Sequence, residues 1–313
     1  MLLASRNELV RPGELRSINV PIISELECQT FYEHIGYTEI CTFDRFERKG
    51  GSFGDSGGPL AVNGRLADLH SRKKRLINKT PNGNRSVTIQ QVPYIVKILR
   101  DGKHSCGGSI LSPNNILTAA HCVHDRAKVY SVVSGSHFRN RGVHHEIKIT
   151  IVHPYYQFHL NGNDLAILVI SPPIDVVTSP NRKINLYNGP LPPNALSGIF
   201  SGWGCNRIFL GIELYPNQLR STTLPIINKS KCQSYFPKPL DIVYSTDICT
   251  FDKAGKKGLC HGDSGGPLVF NNQLIGVSSW GSKTLDHKYP DVFINVAHPV
   301  YRKWIIANIQ HVF

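Results

Sequence analysis

Apolar residues in this chain come in bursts of five to seven, at 94–99, 129–133, 146–152, 165–170, 274–279 and 292–296, with Gly, Pro and Asn between them. The bursts are rich in β-branched residues, which pack well on a pleated surface and lose rotamer freedom in a helix, so they predict short strands. Many brief strands in series, broken at short intervals by turn residues, predict an all-β barrel or sandwich. One helix is expected late, over residues 299–309, where Tyr301, Trp304, Ile305 and Ile309 share a face.

The 313 residues suffice for one large domain or two ordinary ones, and a chain 41% hydrophobic and 18% charged reads as soluble and globular. No apolar run approaches the roughly 18–20 residues needed to span a bilayer, so no membrane partner is expected. Met1 is followed only by Leu2-Leu3-Ala4 before the polar Ser5-Arg6-Asn7-Glu8, which is shorter than a signal-peptide core of roughly 7–15 residues. Eight cysteines nevertheless point to an oxidising compartment. The expectation that reconciles the two is a secreted protein whose true N-terminus is not Met1. Sequons at Asn78, Asn84 and Asn228 agree with a secreted glycoprotein. The net charge of +13 is scattered outside Arg72-Lys73-Lys74-Arg75 and comes with no nucleic-acid motif, so it reads as a solvated basic surface.

The heptapeptide Gly-Asp-Ser-Gly-Gly-Pro-Leu occurs at 54–60 and again at 262–268. A tight Gly-flanked turn can expose a Ser hydroxyl and aim backbone N–H groups at an oxyanion. The repeat extends beyond the motif, since 14 of 22 positions are identical between 39–60 and 247–268. Its period is too long for a solenoid, and a partial duplication fits better. Ser56 has no His or Asp counterpart upstream. Residues 1–75 are therefore expected to be an incomplete, inactive repeat, a pro-segment that Cys28 and Cys41 could staple or a gene-fusion remnant.

Upstream of Ser264 stand Leu117-Thr118-Ala119-Ala120-His121-Cys122 and Asn163-Asp164-Leu165-Ala166-Ile167-Leu168, giving the order His, Asp, Ser. With these motifs, residues 76–313 resemble a chymotrypsin/trypsin-like serine endopeptidase. The resemblance implies two antiparallel six-stranded β-barrels and a C-terminal helix, preceded here by the partial second-barrel duplicate. It also implies an acyl-enzyme mechanism. Ser264 would be the nucleophile, His121 its base, and Asp164 the group that orients the imidazole. The N–H groups of Gly262 and Ser264 would form the oxyanion hole.

The same resemblance implies activation by cleavage between Arg75 and Leu76, with the new amino terminus pairing with Asp263. At the base of the specificity pocket it puts Gly258, so the trypsin-like acid is absent there. Ser279-Trp280-Gly281 would pair with substrate backbone, and Asp291 would stand at a second position in the pocket. The expected specificity is chymotrypsin-like or broad. Cys106–Cys122 and Cys232–Cys249 should be disulfides, with Cys205–Cys260 a further candidate. His144, His145, His153 and His159 are expected at the surface or in loops. No metal and no other cofactor is expected, and a monomer is. The partners are polypeptide substrates, protein inhibitors and an activating protease. A non-catalytic homologue that acts as a binding or cascade cofactor protein is the alternative.

Overall fold

The protein is described by a computed structural model over residues 85–158, 162–189, 191, 197–209, 212–236, 242–255, 257–281 and 288–309, with four short strands before residue 70. The chain divides into two units, Met1–Lys79 and Thr80–Phe313. In the first unit β1 (Ile22–Ile23) pairs antiparallel with β2 (Cys41–Thr42), and β3 (Pro59–Val62) with β4 (Arg65–Leu69). Ser56 and Cys28 lie outside the described residues.

The second unit begins with β5 (Arg85–Ser86) and holds two barrels. The first closes through β6 (Ile95–Arg100), β7 (Lys103–Ile110), β8 (Asn115–Thr118), β9 (Tyr130–Ser134), β10 (Val143–Val152) and β11 (Ala166–Ser171). The strand β12 (Asn185–Leu186) leads to the second, made of β13 (Ser197–Gly202), β16 (Arg220–Ile227), β17 (Asp247–Thr250), β18 (Pro267–Phe270), β19 (Gln273–Gly281) and β20 (Asp291–Asn295). Pairing of β19 with β20 as well as with β18 closes that ring. Between β13 and β16 stands a small hairpin of β14 (Arg207–Phe209) and β15 (Ile212–Leu214). Closure leaves no bare strand edge in either barrel, which is how short strands satisfy their backbone groups.

Alternation along the strands fills the interiors. Val96, Ile98, Ile116 and Leu168 are fully buried in the first barrel, and Phe200, Leu224, Leu268 and Phe293 form a cluster in the second. After a short α1 (Lys229–Gln233), the chain ends in α2 (Pro299–Ile309), the helix expected from the sequence. Tyr301 and Ile305 are buried there, and Trp304 and Ile309 pack on the same core. Among the described residues no helix is long and apolar enough to cross a membrane.

Two findings depart from the sequence reading. The strand expected at 146–152 begins three residues earlier, because His144 and His145 pair with Val133 and Val132 of β9. His145 is buried within β10 rather than at the surface or in a loop, His153 is buried in the loop that follows β10, and His159 lies outside the described residues. His145 lies between Ser134 Oγ at 2.9 Å and the Pro172 carbonyl at 2.6 Å. His153 packs on Trp304 with ring centroids 4.9 Å apart.

Lys97 is the third surprise, 1% exposed in the middle of β6. Its ammonium donates to the carbonyls of Phe138 and Arg141, at 2.7 and 2.5 Å, and stands 5.1 Å from the centre of the Trp203 ring. Burial lowers its pKa to about 8. Lys97→Ala would remove the donor shared by two carbonyls, leaving Phe138 only the Arg141 N–H at 3.3 Å, and would open a void, so it is expected to cost about 3 kcal/mol of stability. Urea unfolding measures this, and a cost below about 1 kcal/mol would show that the two bonds carry little weight.

Candidate active site

The segment from Ala119 to Cys122 leaves β8 through an extended Ala119 and tightens into a single 3₁₀ turn over Ala120–Cys122. Cys122 is bridged to Cys106 on β7, with Cα atoms 6.1 Å apart, so the turn carrying His121 is clipped to its own barrel. Asp164 comes from the loop before β11. Its neighbour Asn163 takes a left-handed conformation at φ 56° and is held by Tyr155 and Tyr301.

These placements bring His121 Nδ1 to 2.7 Å from Asp164 Oδ2. Asp164 Oδ1 accepts the His121 backbone N–H at 2.9 Å, and the Ser279 hydroxyl donates to Oδ2 at 2.6 Å. Burial alone would raise the Asp164 pKa, but His121 and these hydrogen bonds outweigh it and hold the carboxyl below its ordinary value. A carboxylate fixed this way keeps the proton on Nδ1 and leaves Nε2 as the basic nitrogen.

Ser264 sits in a loop pinned from both barrels. Gly107 of β7 donates its N–H to the Ser264 carbonyl at 2.8 Å, and Gly265 donates to the Ser278 carbonyl at 2.7 Å. Gly265 has φ 73°, and a Cβ there would lie 2.2 Å from Thr118 Oγ1 and 2.6 Å from the Gly107 carbonyl. Only glycine permits that approach. Ser264 lines a cavity of about 40 Å³ with Ser279, Trp280, Gly281 and Asp291. Among the described residues no hydrogen bond joins His121 Nε2 to Ser264 Oγ, and Nε2 has Cys122 Sγ at 3.8 Å. Such bonds are often long or open before substrate arrives.

Asp291, at the start of β20, is buried, and its Oδ2 accepts the Leu259 N–H at 3.1 Å. Burial first, and then the charge of Asp263, push its pKa well above the usual carboxylate range. Gly258 does not line the Ser264 cavity. It lines a smaller one with Gly202, Gly204 and Asp263. There Asp263 accepts the N–H groups of Gly204 at 2.8 Å and Cys260 at 3.0 Å, yet burial raises it to about 7. A Cβ at Gly202 or Gly204 would come within 2.2 Å of that carboxyl. Arg75 and Leu76 lie outside the described residues.

The expected disulfides Cys106–Cys122 and Cys232–Cys249 are present, and Cys205 is joined to Cys260. Two clusters of metal-ligating residue types, Cys106–His121–Cys122 and Cys205–Glu213–Cys260, have their sulfurs committed to these bridges. Sequence reasoning missed three features here. Ser279 was read only as part of a substrate-pairing strand, but its hydroxyl supports Asp164 from 115 residues away. Glu213 reaches His261, the residue before Gly262, and is itself bonded by Tyr215, and no local motif marks either.

The trypsin family model matches residues 4–79 and 81–305. Trypsin delta of Drosophila melanogaster is 36% identical over 228 residues, covering 72% of this chain and 87% of the relative. Hypodermin-A of Hypoderma lineatum is 34% identical over 226 residues, covering 72% and 85%. Among solved structures, neuropsin, a serine protease expressed in the limbic system of mouse brain, aligns with a TM-score of 0.63 at 25% identity, covering 72% of this chain and 98% of that one.

Removing the Ser279 hydroxyl deletes one charge-assisted hydrogen bond to Asp164. Ser279→Ala is expected to slow the reaction of Ser264 with a fluorophosphonate about tenfold, equivalent to about 1.4 kcal/mol. Pseudo-first-order labelling rates measure it, and an unchanged rate would remove Ser279 from the support of Asp164.

Proposed function

We propose, for a chain that belongs to the trypsin family of serine proteases, that it is an active endopeptidase working through an acyl-enzyme on Ser264. The observation that carries this reading is the His121–Asp164–Ser279 network beside the cavity lined by Ser264. His121 Nε2 takes the Ser264 proton as Oγ attacks the scissile carbonyl, then gives it to the leaving amine. Asp164 holds the imidazole and stabilises its charged form. The N–H groups of Gly262 and Ser264 receive the oxyanion. A non-catalytic homologue that serves as a binding or cascade cofactor protein has one observation on its side, that no hydrogen bond joins His121 to Ser264 among the described residues. Fluorophosphonate labelling with Ser264→Ala as the control separates the two, and an absent Ser264 adduct would overturn the enzyme reading.

Specificity in this reading is chymotrypsin-like or broad. Gly258 supplies no acid, and Asp291, the one carboxyl lining the cavity among the described residues, accepts the Leu259 N–H and has its pKa raised by burial. A carboxyl already bonded to backbone, whose charged form burial disfavours, suits apolar and aromatic side chains better than a solvated anion would. A panel of short chromogenic peptides is expected to show cleavage after Phe, Tyr or Leu. Cleavage confined to Arg and Lys would refute it.

Activation is proposed to follow cleavage between Arg75 and Leu76, with the freed ammonium of Leu76 pairing with Asp263. Asp263 suits that role because it is buried, carries two N–H donors, and takes part in none of the ion pairs among the described residues. Residues 1–75 remain in this reading an inactive duplicate or pro-segment. Secretion accords with the three disulfides and with the exposed Asn228, whose Oδ1 caps α1 while its amide nitrogen stays available for a glycan. Terminal sequencing of active protein should find Leu76 first.

The uncleaved chain carries a further signature of Asp263. Its folded pKa of about 7 lies above the unfolded value, so the folded state holds a proton that the unfolded chain releases. The stability this group supplies is fully present below about pH 4 and is lost as pH rises through 7. Asp247, likewise raised to about 7 by burial, contributes with the same sign. Asp263→Asn is expected to flatten, though not abolish, the decline in the urea midpoint across that window.

A further inference from the structure

The residue before Gly262 is tied to a hairpin that the endopeptidase reading leaves without a role. His261 Nδ1 pairs with Glu213 Oε1 of β15, and Glu213 Oε2 accepts the Tyr215 hydroxyl at 2.7 Å. The Tyr215 ring edge lies 3.3 Å from where a Cβ on Gly262 would stand. The Arg139 guanidinium covers that ring at 4.5 Å, and the Arg139 backbone N–H donates to the Asn217 carbonyl at 2.8 Å. Glu213 is thus the joint between a loop of the first barrel, the hairpin of β14 and β15, and the turn that carries Gly262.

The backbone makes this joint consequential. A trans peptide points its C=O and N–H in opposite directions. The His261 carbonyl accepts the Cys205 N–H at 2.9 Å, so the Gly262 N–H of the same peptide is aimed away from Cys205. Cys205 is in turn bonded to Cys260, one residue before His261. Gly262 itself offers no resistance to rotation, since it sits at φ 94° and glycine moves freely there. A donor that must face one direction, mounted on the most permissive residue, needs its orientation fixed from outside. The Cys205 N–H holds one side of the peptide, and Glu213 adds holds on the His261 side chain and on the tyrosine that stands against Gly262.

We infer that Glu213 is a positioning residue for the oxyanion donor, holding the His261–Gly262 peptide in its productive orientation through His261 and Tyr215. The inference rests on the endopeptidase reading. It assigns to the β14–β15 hairpin a share in transition-state stabilisation, because an N–H turned away from the oxyanion costs most where negative charge has developed.

Cleaved protein carrying Glu213→Ala and Glu213→Gln tests it. Gln keeps acceptor and shape and is expected to stay within about threefold of the parent, whereas Ala is expected to lower kcat about tenfold with KM within about twofold. A peptide aldehyde, whose adduct places an oxyanion at the donors, should bind the Ala variant about tenfold more weakly, while the same peptide as an uncharged amide binds unchanged. A KM increase at constant kcat, or equal weakening of aldehyde and amide, would overturn the inference by making Glu213 a general binding or structural residue. An Ala variant indistinguishable from the parent in kcat and aldehyde affinity sinks it too. Parent protein that forms no Ser264 adduct instead brings down the endopeptidase reading and this inference with it.

Discussion

A carboxylate removed from water keeps its charge only if donors replace the lost solvation, and Asp164 is the residue for which both barrels cooperate to do so. The first barrel supplies the His121 ring and backbone N–H, and the second supplies Ser279 from β19. The Ser279 bond, the one of the three that crosses between barrels, forms only if the barrels meet at the right separation. That separation is set a few residues away, where Gly265 admits Thr118 and Gly107 to contacts no side chain would allow. Orientation of the imidazole, exposure of the serine and register of the two barrels are therefore parts of one constraint.

Three buried aspartates near the cleft show how finely the surroundings decide charge. Asp164 faces a potential cation and is held down. Asp263 has only two backbone N–H groups, and Asp291 one together with a neighbouring acid, and both are pushed up. The residue type is constant and the solvation differs. In the proposed enzyme the first is the one whose surroundings favour the anion, the second waits for a counter-ion, and the third lines the cavity with burial set against its charge.

Much of this was legible in the amino-acid order. Short β-branched runs gave strands within a few residues of those observed, and the spacing of Tyr301 and Ile305 gave the helix, because period and propensity are local properties. His121, Asp164 and Ser264 could be picked out as candidates because the residues flanking each are as characteristic as the three themselves. What stayed hidden depends on meetings across the fold. Glu213 and His261 are 48 residues apart, and nothing near either one marks the other. His145 is polar and looks superficial until β10 turns it toward Ser134 and Pro172. Lys97 breaks the rule that a lysine in a strand faces water, and only the carbonyls of a distant loop make its burial tolerable.

That interior lysine reaches further than the barrel it occupies. The carbonyls it binds belong to Phe138 and Arg141, which bracket Arg139, and Phe138 also bridges to Gln218, just before β16 of the second barrel. A charge sealed inside one half of the molecule thereby dictates the path of a surface loop whose arginine rests on a tyrosine of the other half. Evolutionary drift in that loop is then restrained from within. Any lengthening or shortening of the loop must still return two carbonyls to the same ammonium, so a segment that looks like free surface is as tightly accountable as the core.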